Sequence, residues 1–383
     1  MIIKYGRQTL DENDVKSVTK ILEKDFLTQG PQVNNYENKL KEKFGSKYCA
    51  VVSNGTAALH LAVKSLSLPK NSKIVTTPMT FVATSNSIIM NNLRPEFVDI
   101  EMSSYTIDVN KLEHRLKKDK KIKAVIAIDY AGNICDWESL NFLRKKYNIK
   151  IINDNCHAIG TKYKGKTNYA CKFADIVTQS YHPVKAITTG EGGSILTNNK
   201  EIYKKVSLLR SHEINRNKNL TKKYGAWFYS IKNLGFNYRL TDIQCALGIS
   251  QLRKVNKFIQ NRRKLAKIYD NELRSINEVK IPKARKDCYH SYHLYPLLIN
   301  FKKLKIDKKN FFLKMQSKGI FMQVHYIPIH YHEYYKKKFN FKKGDFPLSE
   351  GFYENEVSLP IYPLLKKNQV FKVINNIKKL VSL

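Results

Sequence analysis

Lys185 sits where a lysine can do more than carry surface charge. Around it, residues 175–199 read DIVTQSYHPVKAITTGEGGSILTNN. Two β-branched runs, 175–179 and 194–197, are expected to be strands, and the Ser, His, Pro, Thr and Gly between them exclude both helix and strand. Lys185 follows Pro183 by two residues and precedes Gly190, Gly192 and Gly193, which holds it on irregular backbone. Burial there would lower its pKa and make the amine a nucleophile for carbonyl carbon, competent to form a Schiff base. The ordinary alternative, in a chain so rich in lysine, is a solvated surface charge.

Other residues with chemical potential fall where apolar runs end. The run at 150–153 leads into Asp154, a carboxylate whose burial raises its pKa unless a cation is near. His157 lies three residues on. The turn SNGTAA at 53–58 opens a helix expected to reach about 67, so the backbone N–H groups of Gly55 and Thr56 are candidate anion binders; simple capping by Ser53 or Asn54 is the competing reading. Phe81, in TTPMTFVAT at 76–84, could stack on a flat conjugated ring or belong to the core.

These sites need elements to position them. Short β-rich runs at 48–53, 74–76, 96–99, 123–129 and 150–153, followed by the pair flanking Lys185, alternate with amphipathic stretches. That rhythm predicts an α/β fold with a mostly parallel sheet covered on both faces, whose ligands gather beyond the carboxyl ends of the strands. Thr241 and Asp242 could begin a helix with Ala246 and Leu247 on its inner face, and from about 249 the pattern becomes a long charged helix and then aromatic-rich strands and helices, a second, smaller domain. In that domain FMQVHY at 321–326 reads as a strand whose His and Tyr side chains could stack on a base, hydrogen-bond a sugar or simply pack.

Taken together, Ser180-Tyr181-His182-Pro183-Val184-Lys185 with its glycine cluster, Asp129-Tyr130-Ala131-Gly132, His157-Ala158-Ile159-Gly160 and Gln323-Val324-His325-Tyr326 resemble the sugar-nucleotide aminotransferases of the DegT/DnrJ/EryC1/StrS family over essentially the whole chain. The resemblance implies fold type I: a large domain, residues 1–248, built on a mostly parallel seven-stranded sheet, and a smaller α+β domain, residues 249–383. It implies pyridoxal phosphate held by Lys185, with Asp154 keeping the pyridine nitrogen protonated so that the ring is an electron sink. Phe81 then lies on the ring, and His157, where the family more often has glutamine, lies near the phenolic oxygen. Gly55, Thr56, Ser180 and Asn237 hold the phosphate, Asn237 reaching it from the other subunit of a homodimer with shared active sites. Tyr5, Asp25, Phe26, Leu27 and Thr28, together with Gln323, Val324, His325 and Tyr326, match residues that line the nucleotide-sugar pocket, to which Gly55, Ser180 and Asn237 also contribute. The nearest branch moves an amino group from L-glutamate to C4 of a UDP-linked 4-keto-6-deoxy-N-acetylamino sugar; perosamine- or 4-amino-arabinose-type acceptors are the alternatives. A lysine at 185 argues against the 3-dehydratase branch, which carries histidine there.

With 68 Lys and Arg against 32 Asp and Glu, the net charge of +36 raises nucleic-acid binding as a rival class. The lysines are scattered, no basic arm, zinc finger or RNA-binding motif accompanies them, and a positive field equally suits a polyanionic nucleotide sugar. The six cysteines show no paired spacing or histidine companions, which argues for reduced thiols and against a metal site. With no apolar leader and no membrane-length apolar run, the expectation is a cytoplasmic protein acting without nucleic acid or membrane.

Overall fold

The computed structural model describes residues 2–381. Seven strands form one sheet: β1 (Tyr48–Val52), β2 (Lys73–Thr76), β3 (Arg94–Phe97), β4 (Ile122–Ile128), β5 (Lys150–Asp154), β6 (Ile176–Ser180) and β7 (Gly193–Thr197). Their order is β1-β7-β6-β5-β4-β2-β3, and every pairing is parallel except those of β7, which runs against both β1 and β6. The alternation of side chains splits the apolar residues between two cores. Val51, Val125, Ile151, Val177 and Leu196 face one, while Ala50, Val52, Ala124, Ile126, Ile152, Ile176 and Ile195 face the other. Strand β3 lies slightly ahead of the expected 96–99, because its register with β2 pairs Lys73 with Arg94; its Pro95 is tolerated on this edge strand.

Helix α1 (Gly55–Ser65) leaves the carboxyl end of β1, and helix α2 (Val82–Ile89) follows β2. Helix α3 (Asp242–Leu273) starts at the Thr241–Asp242 step and continues through the charged stretch from 249, with Thr241 and Gln244 forming its capping box. Leu252, Val255, Phe258 and Ile259 of α3 pack in the large core, whereas Leu265, Ala266, Tyr269 and Leu273 pack in a separate one, so the helix runs unbroken from one core into the other. Between these two groups, fully buried Arg262 donates to the carbonyl oxygens of Tyr292, His293 and Ile361 at 3.3, 3.1 and 2.7 Å.

The second core is organised by a three-stranded antiparallel sheet of β8 (Val279–Lys280), β9 (Tyr295–Ile299) and β10 (Glu356–Leu359), in the order β10-β9-β8, with helices Lys308–Ser317 and Lys367–Val381. The stretch 321–326 is not the strand its sequence suggested. It makes an isolated bridge between Gln323 and Ser358, and the ladder stops there because side chains take the next backbone groups: Glu356 accepts from the His325 N–H and Tyr130 donates to the His325 carbonyl. Among the described residues no helix is long and apolar enough to cross a membrane.

Candidate active site

Lys185 lies in the loop joining β6 to β7, which closes on itself through Thr189 N–H to Tyr181 O at 3.0 Å and Thr188 Oγ1 to the same carbonyl at 2.9 Å. The lysine turns at His182, whose carbonyl accepts the Lys185 N–H at 2.9 Å. Its amine makes no hydrogen bond or ion pair with the described residues. Burial lowers its pKa, and the negative potential of Cys156 and Asp154 opposes that shift.

Asp154 ends β5 and is only 6% exposed. Thr84 on α2 donates to Oδ2 at 2.9 Å and the Cys156 N–H to Oδ1 at 3.2 Å, and Thr84 is itself paired with Thr80 at 2.9 Å. No ion pair among the described residues satisfies this carboxylate, so its geometry is that of a buried anion set for a cationic partner from outside the chain. Asp154→Asn is therefore expected to lower kcat/KM on the order of 10²-fold, the cost of removing one preorganised charge. Steady-state kinetics of the cofactor-saturated variant checks this; a rate near that of the parent would remove Asp154 from the chemistry.

Three imidazoles face Lys185 across the site. His157 Nδ1 accepts the Ala131 N–H at 3.3 Å, and Nε2 lies 2.9 Å from Tyr326 Oη. The His293 ring lies 4.5 Å from that of His157, tilted at 47°, and its Nδ1 is buried without a partner among the described residues. Burial, reinforced by the Lys185 charge, pushes the pKa of His157 and of His293 well down, and that of His325 down to about 3. All three rings are therefore neutral at physiological pH. Because Ala131 occupies the His157 Nδ1 lone pair, the ring proton sits on Nε2 and points at Tyr326, leaving the tyrosine hydrogen free to donate elsewhere.

At the opposite side, Gly55 and Thr56 open α1, capped by the Asn54 side chain, which accepts from Ala57 N at 2.8 Å. Capping is thus compatible with anion binding: the N–H groups of Gly55 and Thr56 have no partner among the described residues and carry the positive helix end. Ser180, the last residue of β6, comes so close that a Cβ on Gly55 would lie 2.7 Å from its Cβ and 3.1 Å from its Oγ. A cradle of backbone N–H groups and one hydroxyl, with no room for a methyl group, fits a phosphate. Gly55→Ala is expected to push Ser180 aside and weaken cofactor retention about tenfold, a cost of the size of local overpacking. Equilibrium binding of pyridoxal phosphate measures it, and unchanged affinity would sink the cradle assignment.

Phe81 is not core: it is 55% exposed, with its ring 5.8 Å from that of Tyr326. Tyr5 is half-buried, 5.5 Å from the His325 ring. Gln323 is exposed and Val324 half-buried. The structure does not join the remaining residues to this cluster. Asp25, Phe26, Leu27 and Thr28 form an exposed loop tied to the start of α3, where Asp242 accepts from Gly30 and Gln32 at 2.7 and 2.8 Å. Asn237 is exposed and bridged to Ser211. Sequence reasoning missed Thr84, Ala131 and His293, and also Arg7, which lines the same small cavity as Lys185. The aromatic and histidine density of YHSYHLY at 289–295 was a signal for His293; Thr84 and Arg7 gave none.

A free lysine and an uncompensated aspartate over the carboxyl edge of this sheet, beside a phosphate-sized helix terminus, define a pyridoxal phosphate-dependent aminotransferase. Residues 8–378 match the DegT/DnrJ/EryC1/StrS aminotransferase family, and the chain belongs to it. It is 37% identical over 388 residues, 99% of each chain, to a UDP-4-amino-4,6-dideoxy-N-acetyl-beta-L-altrosamine transaminase of Campylobacter jejuni. It superposes with a TM-score of 0.92 and 32% identity over the full length of both chains on Helicobacter pylori PseC, an aminotransferase involved in the biosynthesis of pseudoaminic acid. A putative sugar aminotransferase of Streptococcus pneumoniae in its PMP form gives 0.91 at 25% identity over 99% of each chain. The protein is a sugar aminotransferase of fold type I that uses pyridoxal phosphate.

Proposed function

We propose that the enzyme transfers an amino group from L-glutamate to C4 of a UDP-linked 4-keto-6-deoxy-N-acetylamino sugar, giving UDP-4-amino-4,6-dideoxy-N-acetyl-β-L-altrosamine for pseudaminic acid synthesis. The observation that carries this reading is the full-length likeness to the Campylobacter jejuni transaminase. Bound at Lys185, pyridoxal phosphate supplies a carbonyl carbon for the amine and a cationic ring that withdraws electrons.

The chain's own residues supply the rest. The Lys185 amine, its pKa lowered by burial, takes a proton as a neutral base and returns it as an ammonium at the sugar's C4, a positioned transfer contributing about 10²- to 10⁴-fold. Asp154, oriented by Thr84 and the Cys156 N–H, holds the negative charge that keeps the ring nitrogen protonated. Gly55, Thr56 and Ser180 bind the phosphate, Phe81 covers one face of the ring, and His157 stays neutral beside it. Tyr5 and the segment Gln323 to Tyr326 orient the sugar.

Asn237 and the loop from Asp25 to Thr28, exposed on their own chain, serve the site of a second copy in a homodimer. Trp227, Ile231 and Leu234, which leave 77, 55 and 75% of their surface exposed nearby in sequence, supply apolar area for that association. A monomer in sedimentation analysis at assay concentration would exclude the shared site.

An absorbance titration tests the reaction. The band of the purified enzyme should bleach with L-glutamate and return with the UDP-4-keto sugar but not with a GDP-linked keto sugar. Recovery with the GDP-linked sugar alone would reject the proposed acceptor.

A further inference from the structure

Three polar residues outside the cofactor contacts form a continuous chain ending in the pocket. Glu356 and Ser358 of β10 are completely buried, and His325 beside them is 7% exposed. They meet because Ser358 bridges Gln323, donating its N–H to the Gln323 carbonyl at 2.8 Å. Ser358 Oγ donates to Glu356 Oε1 at 2.5 Å. A hydroxyl has one proton, so the same oxygen must accept from His325 Nδ1, 2.8 Å away. The His325 backbone is clamped as well: its N–H donates to Glu356 Oε2 at 3.0 Å, and its carbonyl accepts from Tyr130 Oη. Nδ1 therefore carries the ring proton, and Nε2 is left with a lone pair and no partner among the described residues. The ring lies 5.5 Å from Tyr5 and edge-on, at 4.9 Å, to Tyr326, on the side that senses Lys185.

We propose that Glu356 and Ser358 are positioning residues that lock His325 as its Nδ1–H tautomer, so that Nε2 is a fixed hydrogen-bond acceptor for a hydroxyl or amide N–H of the sugar. The inference rests on the transaminase reading and deepens it, since it assigns the pocket's choice of acceptor to one lone pair. Burial raises the Glu356 pKa to about 7, against the pull of its hydrogen bonds from Ser358 and the His325 N–H and of the Lys308 charge, so the carboxylate the relay requires prevails above about pH 7. A site built to receive a substrate donor leaves an unpaired polar atom when that donor is missing, and discriminates by up to about 10⁴-fold on that ground. The amino donor does not use this lone pair, so the effect belongs to the sugar half-reaction.

The test combines imidazole ¹⁵N NMR of the histidine-labelled holoenzyme, His325 being assigned by its loss in His325→Gln, with the two half-reactions followed separately. The parent should show His325 protonated on Nδ1. Ser358→Ala should lose that preference. Glu356→Gln, whose amide donates to Ser358 and turns the relay round, should favour the Nε2–H form. In both variants KM for the keto sugar should rise about tenfold, the loss of one hydrogen bond, and the donor half-reaction should change far less. A parent already protonated on Nε2, or a Ser358→Ala variant that moves neither tautomer nor KM, would overturn the proposal. Failure of the transaminase reading would show separately, as no bleaching of the parent by any amino donor.

Discussion

Lys185→Ala is expected to lower sugar amination by about 10⁴-fold or more while leaving the fold intact, because it removes both the proposed attachment point and the proposed proton carrier. The side chain makes no hydrogen bond or ion pair among the described residues, so no structural network depends on it, and the turn that sets it is made by backbone atoms of His182 and Tyr181. The loss should therefore be chemical. Circular dichroism and thermal midpoint should match the parent, and borohydride should couple the cofactor to the parent chain but not to the variant. A small primary amine added to the assay should restore part of the rate. If the variant kept more than about a tenth of the parent's kcat/KM, the role given to Lys185 would be wrong.

The second large effect is on stability. Burial lowers the pKa of His157, His290, His293 and His325, two of them to about 3. In the unfolded chain each titrates near 6.5, so below that pH the unfolded state binds protons that the folded state refuses. The sign follows: stability is complete above about pH 7 and is lost as pH falls toward 3. At pH 5.5 each histidine costs about 1.4 kcal/mol, and four together cost about 6 kcal/mol, comparable with the whole stability of many domains. The urea midpoint should therefore drop steeply between pH 7.5 and 5.5. His290→Asn should flatten that dependence, since His290 uses Nδ1 to accept the Tyr292 N–H and its pKa is lowered by burial and the Arg263 charge. A midpoint that does not move over this range would mean that the imidazoles are protonated in the folded protein.

Where one residue type and its immediate neighbours decide the outcome, the sequence was sufficient. Pro183 and the glycines around Lys185 announced an irregular loop, the apolar run into Asp154 announced a carboxylate at a strand end, and Gly55 announced a helix start. The β-rich runs found the sheet to within a few residues. Local reading failed where distant groups decide. The apparent strand at 321–326 is broken by Glu356 and Tyr130, which compete for its backbone. Thr84 reaches Asp154 from 70 positions away, and Ser358 reaches His325 from 33, distances at which a single chain gives no pairing signal. Asn237 and the 25–28 loop were legible only through resemblance.

Helix α3 has a kinetic consequence. A 32-residue rod that belongs to both cores, pinned midway by a guanidinium gripping three backbone carbonyls from the second lobe, leaves no soft joint between the lobes. Opening by hinge bending would have to break that helix or strip Arg262 of its carbonyls inside an apolar interior, at a cost of several kcal/mol. The nucleotide sugar accordingly meets a receptor already assembled. Selection is made at the entrance, by shape and by fixed donors and acceptors, and the price of ordering is met when the chain folds instead of at each turnover.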